Sequence, residues 1–323
     1  SNTIKILDFH QNYFNQIYSL LDTNKIKNAR LRIAADSVNG TANTYLRPAL
    51  EKMGVKVIGL REERDVLFGG HSPDTDEENL KELQNTVKKN KLHLGLACDG
   101  DADRYGIIDS DGTWISPNMV LGITLEHLVK NKGMKGKICR SVMTSHFVDA
   151  IGKCYGLETR ETPVGFKYIG DLLKTGEYLL GGEESAGMSI MGHVPEKDGI
   201  IACLLMAEMI AYEKKPIKTL LNNLYKKVGP FVNIRLNLRL NEKESIERIN
   251  ERLTIKPPLN IAGFPVWRIN DADGFKFIMK DGSWLGLRPS GTEPVVRIYA
   301  EAQTNSKLMS FVEAGKKIVS GKF

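Results

Sequence analysis

LHLGLACDGDADRYGIID, residues 92–109, sets two apolar runs on either side of a loop that holds Asp99, Asp101 and Asp103 at alternate positions. The first run, LHLGLAC, has the length and continuous apolarity of a buried strand, and YGIID reads as the next strand. An acidic loop at the end of a buried strand sits where open α/β sheets hold their ligands. Three carboxylates this close repel one another, and a hard divalent cation bound through oxygen relieves the repulsion. A solvated acidic turn is the plainer alternative. An EF-hand also carries acids at positions 1, 3 and 5 of its loop, but here position 6 is Arg104 instead of glycine and position 12 is Ser110 instead of glutamate. Arg104 beside the acids points to a phosphate at the same place, because arginine and Mg²⁺ together clamp a transferring phosphoryl group.

Upstream of this stretch, helical and strand periods alternate. FHQNYFNQIYSLLD (9–22), NTYLRPALEKMG (43–54) and EENLKELQNTVKKN (77–90) have helical spacing, while ARLRIAAD (29–36) and VKVIGL (55–60) read as strands. A second α/β pattern starts near Trp114 and runs to a long helix at about 198–214. From GPFVNIRLNLRLN (229–241) onward the strands alternate polar and apolar residues, as a small antiparallel domain requires. The expected fold class is α/β: two consecutive three-layer α/β domains, 1–114 and 115–228, then a small α+β domain with an antiparallel sheet, 229–323.

A chain of 323 residues has room for two or three such units. Its 41% hydrophobic and 26% charged residues are those of an ordinary globular protein. Lys and Arg exceed Asp and Glu by 45 to 39 without massing into runs, and aromatics are only 7%, which suits an anionic small molecule and argues against a nucleic-acid partner. Four separated cysteines (Cys98, Cys139, Cys154, Cys203) form no CxxC pair, so reduced thiols and a cytoplasmic location are expected. GIIACLLMAEMIAY (199–212) is shorter than the roughly 20 residues of a bilayer span, and SNTIKILDFHQNYF lacks a secretory signal pattern. No membrane partner is expected.

Other segments carry possible chemistry. GLRPSGTEPVVRIYAEA (286–302) puts Arg288, Ser290, Gly291 and Thr292 in a tight turn between strands, with Arg297 able to point back, which fits an anion nest or an incidental hairpin. LLGGEESAG (179–187) offers Glu183, Glu184 and Ser185 to sugar hydroxyls, or is simply a polar surface loop. Lys167 in TPVGFKYI (162–169) has no assigned task without further context, and Lys197 with Asp198 in PEKDGI equally reads as a helix cap. Ser145 and His146 adjoin in MTSHF, but neighbours on a strand-to-helix turn rarely point at one another, and a helix cap fits better than a nucleophile and base.

DGDADR, TPVGFK, GGEESAG, EKDG and RPSGTEP, in this order and over essentially the whole chain, resemble the α-D-phosphohexomutase family. These enzymes move phosphate between C1 and C6 of a hexose through a phosphoserine and a hexose 1,6-bisphosphate that turns around midway. The resemblance implies Mg²⁺ on Asp99, Asp101 and Asp103, and catalytic roles for Arg104 and Lys167 beside the transferring group. It implies sugar contacts from Glu183, Ser185 and Lys197, and a grip on the non-reacting phosphate from Arg288, Ser290, Gly291, Thr292 and Arg297. GEESAG resembles the phosphoglucomutase branch, since phosphomannomutase-type enzymes usually carry histidine where Gly187 stands. Glucose phosphates, with glucose 1,6-bisphosphate as intermediate, are therefore expected ahead of mannose or glucosamine phosphates. The family's first domain carries its serine in a TASHNP-like loop, and none occurs in these residues. The expectation is a chain corresponding to domains two to four, inactive alone. The alternative is a sugar-phosphate-binding module, or a partner for a separately encoded first domain.

Overall fold

The computed structural model describes residues 7–240, 245–290 and 294–321, which build three sheets in chain order. The first contains β1 (Arg32–Asp36), β2 (Lys56–Leu60), β3 (Leu94–Cys98), β4 (Tyr105–Asp109) and β5 (Trp114–Ile115), ordered β2-β1-β3-β4-β5. β1 runs parallel to β2 and β3, while β4 and β5 are antiparallel. Every residue of β3 and β4 is buried. The continuous apolar run of β3 thus has the physical cause expected of it, a strand covered on both faces.

The second sheet is ordered β7-β6-β8-β9, from β6 (Lys137–Ser141), β7 (Thr159–Thr162), β8 (Tyr178–Gly182) and β9 (Met188–Ile190), with only β9 antiparallel. Helix Gly199–Glu213 follows it in sequence but packs against β3 and β4 as well as β9. Apart from Glu208 this helix is apolar all round to Ala211 and buried over that length, as a helix without a polar face must be. One apolar core therefore runs through both α/β units.

Six antiparallel strands form the third sheet: β10 (Val232–Arg239), β11 (Asn260–Ile261), β12 (Phe264–Asn270), β13 (Phe275–Met279), β14 (Trp284–Pro289) and β15 (Val295–Ala302), ordered β10-β15-β14-β13-β12-β11. One face holds a separate core with helices Ile246–Ile255 and Asn305–Val319. The other face is polar and aromatic and turns toward the second unit, where Trp284 and Tyr299 pack with Val142 and Met143. Lys276 is buried at this junction, its Nζ donating to the Val142 carbonyl at 2.5 Å. Glu301, also buried, accepts from the Ser145 hydroxyl, the His146 N–H at 2.9 Å and the Trp284 indole N–H at 2.9 Å. Ser145 is thus bound to Glu301, and its oxygen also accepts the Phe147 N–H at 3.0 Å at the start of helix Phe147–Cys154.

The architecture is the two mixed α/β sheets and antiparallel final domain expected from the sequence. Three α-helices were not anticipated, one of them Phe166–Leu173 directly after the TPVG turn. Helix Thr23–Ala29 precedes β1, so that strand starts at Arg32, not 29. Helix Ile217–Val228 has its first amides satisfied by Asp109, more than a hundred residues away, at 3.0 and 2.8 Å. A cap supplied from so far leaves no local signal.

Candidate functional site

Asp99 directly follows β3 and is fully buried, while on the turn beyond it Asp101 is exposed and Asp103 half-buried. One carboxylate oxygen from each lies within 4.8 Å of the others. Ala102 between them holds φ at +64°, a left-handed conformation costly for alanine. Arg104 closes the turn. Its N–H donates to Asp99 Oδ1 at 2.9 Å, its Nε to Asp99 Oδ2 at 2.5 Å, and its terminal nitrogen pairs with Asp74 at 2.7 Å. Lys197 Nζ meets Asp103 Oδ2 at 2.5 Å. Burial pushes the Asp99 carboxyl up to about 6, against the pull of Arg104.

Two backbones support this loop at close range. The Gly199 N–H donates to the Ala102 carbonyl at 2.9 Å, and a Cβ at Gly199 would lie 2.3 Å from the Arg104 carbonyl oxygen. A Cβ at Gly40 would lie 2.5 Å from the Gly100 carbonyl oxygen. Neither approach is possible for a larger residue without displacing the loop. Asp198 caps the helix through the Ile200 and Ile201 amides, and also accepts from the Tyr13 hydroxyl at 2.9 Å.

The glycine-rich loop after β8 is tied directly to the acidic loop. Arg104 and Gly187 form an antiparallel bridge, and Ala186, also left-handed at φ +71°, accepts the Tyr105 N–H. Strained alanines in both loops are the pattern of a site held by its surroundings. Glu183 is buried, accepts the Gly165 N–H at 2.9 Å, and has its carboxyl pushed up to about 7, chiefly by burial. Glu184 and Ser185, in contrast, line a cavity of about 660 Å³ together with Arg104 and Asp74. Asn118, Asn233, Arg235 and Asn237 reach the same cavity from the second and third units.

On the third sheet Arg288 and Arg297 face each other across β14 and β15. Arg288 Nε pairs with Asp273 at 3.0 Å, and Asp273 also accepts the Val164 N–H, tying this strand to the TPVGFK loop. Ser290 is buried with its N–H on the Val295 carbonyl at 2.8 Å. Gly291 and Thr292 lie outside the described residues. Lys167 is exposed, its ammonium 4.9 Å from the Tyr168 ring centroid, and it lines neither this cavity nor the recess beside Asp101 and Asp103.

The acidic loop suits Mg²⁺. Its donors are all carboxylates, the preferred ligands of a hard cation, and Asp99 is buried with a carboxyl that a nearby double charge would return to its ionised form. Asp99, Asp101 and Asp103 would hold the ion. Sequence reasoning did not single out Asp74, Asn118, Asn233, Arg235 or Asn237. Asp74 lies in GGHSPDTD (69–76), where glycine, serine, proline and aspartate together mark only a turn. The other four belong to no motif, although the alternation in VNIRLN did mark one polar face of a strand.

Among the described residues no helix is long and apolar enough to cross a membrane. Three family models match in succession: phosphoglucomutase/phosphomannomutase α/β/α domain II at residues 11–112, α/β/α domain III at 116–228, and the C-terminal domain at 236–316. A phosphoglucomutase/phosphomannomutase of Thermococcus kodakarensis is 28% identical over 312 residues, 97% of this chain and 66% of that protein. A phosphoglucosamine/phosphogalactosamine mutase of Sulfurisphaera tokodaii is 30% identical over 96% of this chain and 66% of its own length. The Komagataeibacter xylinus phosphoglucomutase is 29% identical over 93% of this chain and 58% of its own. The chain therefore spans between 58% and 66% of the length of these relatives. The open form of Paramecium parafusin, a phosphoglucomutase, superposes with a TM-score of 0.83 at 25% identity, covering 98% of this chain and 63% of that one. The order of the matched domains, the two α/β sheets with their antiparallel companion, and the acidic loop agree: the chain belongs to the phosphoglucomutase/phosphomannomutase family, the α-D-phosphohexomutases, and carries its domains II, III and IV.

Proposed function

We propose that this chain forms the metal, sugar and phosphate grips of an enzyme that moves phosphate between C1 and C6 of a hexose, with glucose phosphates preferred. The phosphoserine, and the domain bearing it, would come from outside these 323 residues. The observation that carries the reading is the 660 Å³ cavity, where Arg104 from the acidic loop meets Glu184 and Ser185 from the glycine-rich loop beneath the polar face of the third sheet.

Asp99, Asp101 and Asp103 would hold Mg²⁺, whose charge would stabilise the phosphoryl oxygens. Arg104, fixed by Asp99 and Asp74, presents its guanidinium beside them. Such a site works by positioning and charge stabilisation, since phosphoryl transfer asks little covalent chemistry of the protein. Glu184 and Ser185 accept and donate to sugar hydroxyls from the cavity wall. Glu183, buried behind the cavity wall, holds the Gly165 amide and so orients the TPVGFK loop. Lys197, paired with Asp103, turns to substrate, while Lys167, which lines neither the cavity nor the recess beside the aspartates, is left out of the transfer. Arg288, Ser290, Gly291, Thr292 and Arg297 grip the phosphate that does not react, and a hexose 1,6-bisphosphate, glucose 1,6-bisphosphate for a glucose enzyme, occupies both ends in turn.

The test is binding of glucose, mannose and glucosamine 6-phosphates to the chain in Mg²⁺ by calorimetry, followed by mutase assays of the chain alone and joined to a phosphoserine-bearing domain. Glucose 6-phosphate should bind tightest, and turnover should require the added domain. Failure of all three sugars to bind would refute the reading. Tightest binding of glucosamine 6-phosphate would keep the mutase class but move the substrate to an amino sugar.

A further inference from the structure

We propose that Arg235 is a third guanidinium of the phosphate grip, contacting the non-reacting phosphate of the hexose phosphate from the cavity side. The inference rests on the proposed function and adds to it a residue in no recognised motif.

Strand β10 places it there. Ile234, Leu236 and Leu238 pack against the core of the third unit, so Asn233, Arg235 and Asn237 project from the opposite face. The register sets Asn237 opposite Arg297 and Arg297 opposite Arg288, giving one row across three strands. Arg235 lies one row along, opposite Tyr299, which makes it the diagonal neighbour of Arg297. Diagonal neighbours of this kind stand about 7–8 Å apart, within reach of long side chains.

Charge supplies the second argument. Like charges directly opposite in a sheet destabilise it unless an anion lies between them. Asp273 neutralises Arg288, but neither Arg235 nor Arg297 has an ion-pair partner among the described residues. Arg235 stands opposite Tyr299, Arg297 lies two residues from Tyr299 on the same strand, and Glu184 from the glycine-rich loop lines the cavity together with Arg235 and Tyr299. Two unpaired guanidiniums beside a third match a phosphate dianion, and guanidinium is the side chain best shaped for its oxygens.

Position supplies the third. Arg288 and Arg297 do not line the cavity, whereas Arg235 does, alongside Arg104, Glu184 and Ser185. Its guanidinium stands 5.9 Å from the Tyr299 ring centroid, a cation–π stack that limits its orientations before ligand arrives. Arg235 thus links the arginine row to the chamber that holds the sugar. Asp76 and Glu77, which also line the cavity, offer a rival role, a latch in which Arg235 closes onto acid instead of phosphate.

The experiment is calorimetric titration of the full 323-residue chain in Mg²⁺, at fixed ionic strength, with glucose 6-phosphate and with inorganic phosphate. The variants are Arg235→Gln, Arg235→Lys, Arg297→Gln and the double change Asp76→Asn with Glu77→Gln. Arg235 is exposed, so thermal melting of its variants should match wild type. Loss of a charge-assisted contact predicts that Arg235→Gln weakens both ligands about tenfold or more. Arg235→Lys should recover part of the loss, and the acidic double variant should bind as wild type. If Arg297→Gln weakens binding and Arg235→Gln does not, this inference fails while the proposed function stands. Equal weakening by the acidic double variant would identify a latch and overturn the phosphate contact. Absence of binding by wild type itself would remove the proposed function and this inference with it.

Discussion

Glu208 lies midway along helix Gly199–Glu213, fully buried, and its carboxylate is shared three ways. It meets His127 Nε2 at 2.8 Å, Lys132 Nζ at 2.7 Å and the Asp22 N–H at 2.6 Å, joining the first unit to helix Pro117–Lys130 of the second. Burial alone would push its carboxyl up, but these partners together hold it below the ordinary glutamate value. Glu208→Ala strands a nearly buried ammonium, a buried imidazole and an amide, and removal of one member of such a network costs about 3–5 kcal/mol. Glu208→Gln keeps the shape and loses the charge, at about 1.5–3 kcal/mol, the worth of a hydrogen bond to a charged group. Urea unfolding at pH 7, followed by far-UV circular dichroism, measures both. Because the native value is depressed, the stabilisation is complete above the unfolded value of 4.5 and disappears as pH falls through the lower native one. The gap between wild type and Glu208→Gln should therefore narrow between pH 5 and 3 (about the range of that titration). An alanine variant within about 1 kcal/mol of wild type at pH 7, below the cost above, would refute the claim that this network holds the two units together.

Saturating Mg²⁺ at about a hundred times its Kd should raise the unfolding free energy by about 2.7 kcal/mol, and Asp101→Asn, on an exposed turn, should abolish that gain in a thermal melt without lowering the metal-free melting point. Gly199→Ala should cost about 1–3 kcal/mol and weaken Mg²⁺ binding, because the new Cβ meets the Arg104 carbonyl at 2.3 Å; calorimetry reads the metal and a urea titration the stability. Lys276 is pushed down to about 7 by burial first and by Arg140 second, so the unfolded chain holds a proton that the folded one sheds between that value and the ordinary 10.5. Stability should rise with pH across that window, and Lys276→Met should flatten the slope in pH-dependent melts.

What the sequence disclosed depended on whether the cause was local. β3 and the acidic loop were legible because a continuous apolar run and alternating aspartates are both written within 18 residues. The alternation in β10 likewise announced an antiparallel strand with one polar face. Helix Ile217–Val228 escaped because Asp109 caps it from another part of the chain, and helix Thr23–Ala29 because its buried residue, Ile26, is a single apolar position in a polar segment. At the site, motifs marked the acids and Arg104, but they did not mark Asp74, whose value lies in holding that arginine's far nitrogen. Glu183 and Glu184 were adjacent letters in one loop, and only the fold separates them, one turned to the Gly165 amide and the other to the cavity.

Helix Gly199–Glu213 also sets the order in which the chain can be completed. β3 and β4 are finished by residue 109, yet the apolar surface that covers them arrives some ninety residues later. During synthesis the first sheet waits with an open face, and a chain stopped before Gly199 would expose it permanently. Such a face invites association with other chains. Truncations that respect the boundary between the first two sequence units should therefore aggregate, whereas release of the third unit, which owns its core, leaves the rest of the apolar interior closed.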